Sequence, residues 1–302
     1  MPGAPVGLGH AADALLGELG AEDPEHPAAA AARPARLQRS LARILDQQRY
    51  EALEVEAARE QDGHNRLRLA ELRDETVSSE WLWALDSATL ASLEPDAYIA
   101  AVRLRLGATF AAQPLVCRIC NGILDAGGSH ALCCAPGERT RGHNDVRDCC
   151  FDLARLADAT AEKEVLGLLD AAPGLRPADI LTSAASPGWI SALDVGVAAP
   201  GARHAGDDCT ESMRLRKRKV YGRFLGALEA EGVEYRPMVW SCWGREHADT
   251  TAILTRLAQQ AARRRGLASH ASLLRQIRAH VGAALARRAA AMLRACMPAS
   301  LA

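Results

Sequence analysis

Val146, Cys149, Cys150, Leu153 and Leu156 recur at spacings of three and four, which predicts an amphipathic helix over His143 to Ala159. Leu274, Ile277, Val281, Leu285 and Met292 do the same along Ala271 to Cys296, with a further helix over about Thr250 to Arg265 before it. Between these lie short apolar runs bounded by Gly and Pro, at Glu164 to Leu169, Ala178 to Thr182, Ile190 to Ala198 and Tyr235 to Ser241, and these read as strands. A long basic helix is predicted over Glu211 to Gly232, with Gly232 marking its end. Helix, three strands, helix, strand, helices is an α/β order built on a small central sheet with flanking helices. No internal repeat shows at a fixed period.

Upstream the signals are weaker. Val102, Leu104 and Leu106 alternate with Arg103 and Arg105, as a strand would, but Ala100, Ala101 and a four-residue repeat favour a helix over Tyr98 to Leu106. Leu37 to Leu72 is highly charged and loosely periodic, the pattern of one or two exposed helices. Residues 1–36 are Ala, Gly and Pro with scattered acids and read as a disordered leader. The expected organisation is thus a leader at 1–36, an exposed helical segment at 37–77, a helical segment with a Cys-rich loop at 78–142, and an α/β domain with C-terminal helices at 143–298.

Composition narrows the function. Hydrophobic residues are 49% of the 302 but aromatics only 4%, so the core rests on Leu, Val, Ile and Ala, and the composition argues against a stacking platform for bases. The net charge of −1 hides an asymmetry: residues 1–100 sum to −9 and residues 201–302 to +10. A basic C-terminal third fits a polyanion partner, DNA or, as the alternative, RNA. Lys163, Lys217 and Lys219 are the only lysines, so Arg runs such as Arg263 to Arg265 reflect coding bias first and the lysines carry more weight. Nine cysteines without a secretory start or a membrane-length apolar run predict a soluble nuclear or cytoplasmic protein, neither secreted nor membrane-bound. Clustered thiols there suggest a metal before they suggest disulfides.

The strongest local pattern is Cys117-Arg118-Ile119-Cys120, followed by His130 and Cys134. Zinc takes four soft or borderline ligands in a tetrahedron, and a C-x2-C turn with a nearby His and Cys supplies them from one loop, with Gly122, Gly127 and Gly128 letting the backbone double back. Four protein ligands leave no open position, so this Zn²⁺ would be structural. Cys133 is the rival of Cys134 as the fourth ligand.

A second pattern is acidic residues in strand-like runs: Glu164, Asp179 and Asp194. Fourteen residues separate Asp179 from Asp194, enough for a strand to end, turn through Ser186-Pro187-Gly188 and return alongside, so the two carboxylates could share a hard cation. Asp194 lies among apolar residues, where burial is costly without a cation or hydrogen-bonding partner. Lys217 and Lys219 follow on the basic helix. Two carboxylates holding Mg²⁺ or Mn²⁺, a third acid and a lysine form a minimal set for phosphodiester hydrolysis. Asp207 and Asp208 read as a solvated pair, His143 as a helix-start cap or packed side chain, and Trp240 and Trp243 as core.

His143-Asn144 with Arg147-Asp148, Glu162 to Glu164 ahead of Gly167 to Leu169, Arg176 to Asp179, Leu193 to Val197 with Pro200, and Trp240 to Gly244 form an ordered set. The set resembles the C-terminal region of non-LTR retrotransposon proteins that carry a restriction-endonuclease-like domain behind a Cys-Cys-His-Cys zinc knuckle. The resemblance covers about residues 78 to 298. It implies a restriction-endonuclease-like fold, Asp179 and Asp194 as the metal-binding pair, Glu164 as the additional acid, and Lys217 as a lysine displaced onto the following helix. That superfold usually places its lysine two residues after the second acid, where this chain has Gly196. The family's reverse transcriptase motif is absent, so a polymerase is expected only as a partner or a lost upstream domain. The implied activity is metal-dependent DNA nicking. The alternatives are a catalytically inactive zinc-containing nucleic-acid-binding remnant and a domesticated interaction protein.

Overall fold

The computed structural model describes residues 27–59, 63–82, 93–169 and 172–298, which form two compact units divided after Arg66. The expectations for residues 1–26, and for Trp83 to Leu90, lie outside the described residues.

In the first unit, helix α1 spans Pro27–Arg59. It begins ten residues before the boundary that composition placed at Leu37. The Ala28 to Ala32 run is the strongest of helix formers, and Pro27 suits the first helical position, where its missing N–H is not needed. Leu53 and Val55 are exposed, as a charged and loosely periodic helix requires. Helix α2, Gly63–Leu72, crosses the division.

The second unit contains α3 (Pro95–Leu106), a hairpin β1 (Leu115–Val116) and β2 (Ile123–Leu124), the single turn α4 (Ala131–Cys134) and α5 (Pro136–Ala157). A four-stranded sheet then begins with β3 (Glu162–Val165), β4 (Ala178–Ser186) and β5 (Trp189–Ala198). After α6 (Cys209–Tyr221) and α7 (Leu225–Ala230) come β6 (Val233–Ser241), α8 (Ala248–Arg264) and α9 (Ala271–Cys296). The sheet order is β3-β4-β5-β6; β3, β4 and β5 are antiparallel, while β5 and β6 run parallel across the α6–α7 connection. The fold is α/β with a small mixed sheet, and the order of elements is the one read from the pattern.

Both edges of the sheet suit their positions. β3 is short and charged, which discourages further strand pairing, and β6 carries Pro237, whose missing N–H is tolerated on an edge strand. One face packs Ile180, Leu193, Val195, Met238 and Trp240 against apolar stripes of α5, α8 and α9. On the other, Ala192, Tyr235, Ala198 and Val239 meet Phe224, Leu228, Cys209 and Met213 from the α6–α7 layer. Fully burying a Leu, Ile or Met contributes roughly 1.5–3 kcal/mol, so these two cores fix the helices that carry the chemistry.

The predicted basic helix over Glu211 to Gly232 is broken. α6 ends at Tyr221, a 3₁₀ turn covers Gly222–Phe224, and α7 restarts at Leu225. Gly222 and Gly226 weaken that stretch, and the break lets Phe224 and Leu228 turn into the core beside Tyr235. The predicted strand from Glu164 to Leu169 is also displaced: pairing occupies Glu162–Val165 and ends before Gly167, which has φ of 75°. Among the described residues no helix is long and apolar enough to cross a membrane.

Candidate active site and metal centre

The pairing of Ile180 with Leu193 and of Leu181 with Ala192 sets Asp179 opposite Asp194 on adjacent antiparallel strands. Asp194 is 7% exposed, and each of its oxygens has a partner: Lys217 Nζ donates to Oδ1 at 2.6 Å, and the Tyr235 hydroxyl donates to Oδ2. Burial raises the Asp194 pKa above the ordinary carboxylate range, although Lys217 and Tyr235 both oppose the shift. At Asp179, Oδ2 accepts the Val195 N–H at 2.7 Å and Oδ1 lies 3.5 Å from His143 Nε2. Burial again pushes upward there, but His143, the Val195 amide and Lys217 together outweigh it, and the pKa is lowered. Two opposed carboxylates are thus tuned in opposite directions, a recurring property of reactive sites.

Lys217 reaches Asp194 from α6 across Gly196. A Cβ built at Gly196 would stand 2.6 Å from Lys217 Cε and 3.3 Å from Met213 Cγ. Gly196 therefore provides the channel for the Lys217 stem. The start of α6 is fixed eight residues earlier. Asp208 caps it by accepting from the Thr210 and Glu211 amides at 2.8 and 3.1 Å, and Arg245 bonds both Asp208 and Glu71 at 2.9 Å. Asp208 is accordingly a capping acid in an ion pair and not a freely solvated one. Lys219 is exposed on α6 and does not share the Lys217 position.

Glu164 is not brought to this pair. The flanking register sets it opposite Asp179, but its φ of 56° reorients the side chain, and its carboxylate binds Arg147 of α5. Arg147 also donates to Asp148 at 2.9 Å. His143 is well inside α5 and is no cap; its ring faces Asp179 one helical turn before Arg147. Tyr235 and His143 are the site neighbours that sequence reasoning did not assign. The four-residue spacing of His143 and Arg147 puts both on one face of a helix adjoining the acidic strands, and that signal was present in the sequence.

The second centre is the Cys-rich loop. The ligand atoms of Cys117, Cys120, His130 and Cys134 all lie within 4.8 Å of one another, forming a Cys3His cluster that could bind a metal ion such as zinc. Cys117 Sγ is 3.7 Å from Cys134 Sγ, and Cys120 Sγ is 3.3 Å from His130 Nε2. Zinc–ligand bonds of about 2.0–2.3 Å in a tetrahedron give edges of about 3.3–3.8 Å, the range in which these two separations fall. The Ile119 and Gly122 amides each point at a cysteine sulfur at 3.4 Å, and Asn121 takes a positive φ of 58° to close the turn. Asp125 accepts the Ser129 and His130 amides at 2.9 and 2.7 Å, which fixes the loop bearing the imidazole. Cys133 is outside the cluster, resolving the choice in favour of Cys134. Among the described residues the cluster is the one such group of three or more.

The chain matches no protein-family model, and no curated protein matches it in sequence.

Proposed function

We propose that the protein is a metal-dependent DNA endonuclease of the nicking type, a retrotransposon-derived module with a restriction-endonuclease-like core and a structural Zn²⁺ in the Cys3His cluster. The observation that supports this most strongly is the meeting of Asp179, Asp194 and Lys217, with Lys217 threaded over Gly196. The residue order yields the same trio that the resemblance implies, with the lysine supplied by a helix in place of a strand.

Asp179 and Asp194 would hold Mg²⁺ or Mn²⁺, since both are hard oxygen donors and such ions are commonly bound by one or two carboxylates with water and phosphate completing the shell. When bound, the cation supplies a lowered pKa to its water and charge stabilisation at phosphorus. Lys217 places positive charge beside Asp194, where it offsets the repulsion between the carboxylates and an entering phosphate. Tyr235 and the Val195 amide hold the two carboxylates in place, so little reorganisation accompanies the reaction. Water attacks phosphorus in line and its proton passes to solvent. The bond to the 3′-oxygen breaks and that oxygen takes a proton from solvent, leaving a 5′-phosphate and the 3′-hydroxyl that a reverse transcriptase would extend. Glu164 has no role in this scheme.

A second reading, a zinc-containing nucleic-acid-binding remnant without catalysis, draws on the engagement of both Asp194 oxygens by Lys217 and Tyr235. Incubation with supercoiled plasmid separates the two. The nuclease converts it to open circles that a ligase reseals, in Mg²⁺ or Mn²⁺ and not in EDTA. Retained plasmid binding with no conversion in any divalent cation would select the remnant.

A further inference from the structure

Helix α6 has a second side that the candidate site does not use. From Ser212 to Leu228 there is no acidic residue, while Arg214, Arg216, Lys217, Arg218, Lys219 and Arg223 are all basic. Two of these are neutralised: Arg214 by Glu211 at 2.7 Å and Lys217 by Asp194. Arg216, Lys219 and Arg223 are exposed and succeed one another at spacings of three and four, which lines them up along one side of α6 and into the 3₁₀ turn. Arg216 touches the Met213 sulfur at 3.2 Å and Arg223 lies over the Phe224 ring at 4.6 Å, and among the described residues neither has a carboxylate partner. Val220, 55% exposed, sits among them.

We infer that this stripe is the track on which a DNA strand lies as it enters the candidate site, an inference that rests on the nuclease reading. Seven residues of helical rise span about 10 Å. One strand of duplex DNA places a phosphate every 3.4 Å or so along the axis, so three cations on that length match a short run of consecutive phosphates. The stripe shares its helix with Lys217, which meets Asp194 on the inner side of α6. Val220 gives the sugar edge an apolar contact between phosphates.

The test measures binding of the full chain to a 20-base-pair DNA duplex in EDTA across a salt series, so that cleavage does not enter. The combined variant Arg216→Gln, Lys219→Gln, Arg223→Gln should flatten the slope of log affinity against log salt by about 2.7, at about 0.9 per lost phosphate contact. Arg263→Gln, Arg264→Gln, Arg265→Gln removes the same charge from the end of α8, a helix on the opposite face of the sheet, and should leave the slope unchanged. Equal slopes in the two triple variants would overturn the track, as would a stripe variant that binds like the unmodified chain. A flattened slope in a protein that never nicks plasmid would sustain the track and refute the nuclease.

Discussion

The opposed shifts of Asp179 and Asp194 make the pH behaviour of single residues the sharpest residue-scale test. Burial has raised the Asp194 carboxyl and Lys217 holds it down, so Lys217→Met should raise it further. The acid limb of the nicking rate should then move to higher pH, and the rate at its plateau should fall about 10²–10³-fold, the usual loss when one charge-stabilising group is removed. A pH–rate profile of the variant checks both. Gly196→Ala should act through the same lysine: a Cβ at 2.6 Å displaces the Lys217 stem, so nicking drops while the circular dichroism spectrum stays unchanged. Asp158 gives a purely structural counterpart. Its carboxylate accepts from the Thr160 and Ser183 amides and the Thr182 hydroxyl at 2.8–2.9 Å. Burial opposes ionisation there, but these donors outweigh it and hold the pKa well below the usual carboxylate range. A lowered pKa stabilises the fold above the unfolded value of about 3.9 and loses that contribution as pH falls through the folded value. Asp158→Ala should therefore cost about 1–3 kcal/mol near neutrality, seen as a lower Tm, and the gap to the unmodified protein should narrow below about pH 4.

At the scale of elements, the Cys3His cluster and the strand pair were legible because their geometry is local. C-x2-C turns have one economical geometry, and Asp179 and Asp194 flank a turn short enough to force antiparallel return. Cys134 prevailed over Cys133 through a fact that spacing does not carry: the single turn α4 points adjacent residues about 100° apart, so only one of them faces the cluster. Lys217 and Lys219, two residues apart on α6, point about 200° apart, and Lys217 is the one that meets Asp194. The break at Gly222 was hidden because charge dominated the pattern and the three apolar residues that turn inward, Phe224, Leu225 and Leu228, are few. The turn of Glu164 toward Arg147 was hidden because a positive φ in a strand is invisible in a sequence that shows no glycine there. The Cys-rich loop is tied to α9, where the Arg118 amide donates to the Cys296 carbonyl at 3.0 Å. Cys134→Ser should lose stoichiometric zinc while Cys133→Ser keeps it, measured by elemental analysis of the purified chain. Zinc retained by Cys134→Ser would remove that residue from the ligand set.

At the scale of the whole molecule, the sheet divides the labour. One face is closed by α5, α8 and α9 and supplies rigidity. The opposite layer brings α6 over the strands, with Lys217 on its inner side and free cations on its outer side. The charge asymmetry of the sequence thus has a location: the basic third includes the helix that serves the candidate site. The central claim is that Asp179 and Asp194 act together on a phosphodiester, and the measurement that tests it most directly is the rate of plasmid nicking in Mg²⁺ or Mn²⁺ by Asp179→Asn and Asp194→Asn. Each change keeps the shape of the side chain and an acceptor for its amide or hydroxyl partner, but removes the charge that holds a cation. Duplex binding should persist in both variants while nicking becomes undetectable. Nicking at the unmodified rate in either variant would contradict the account.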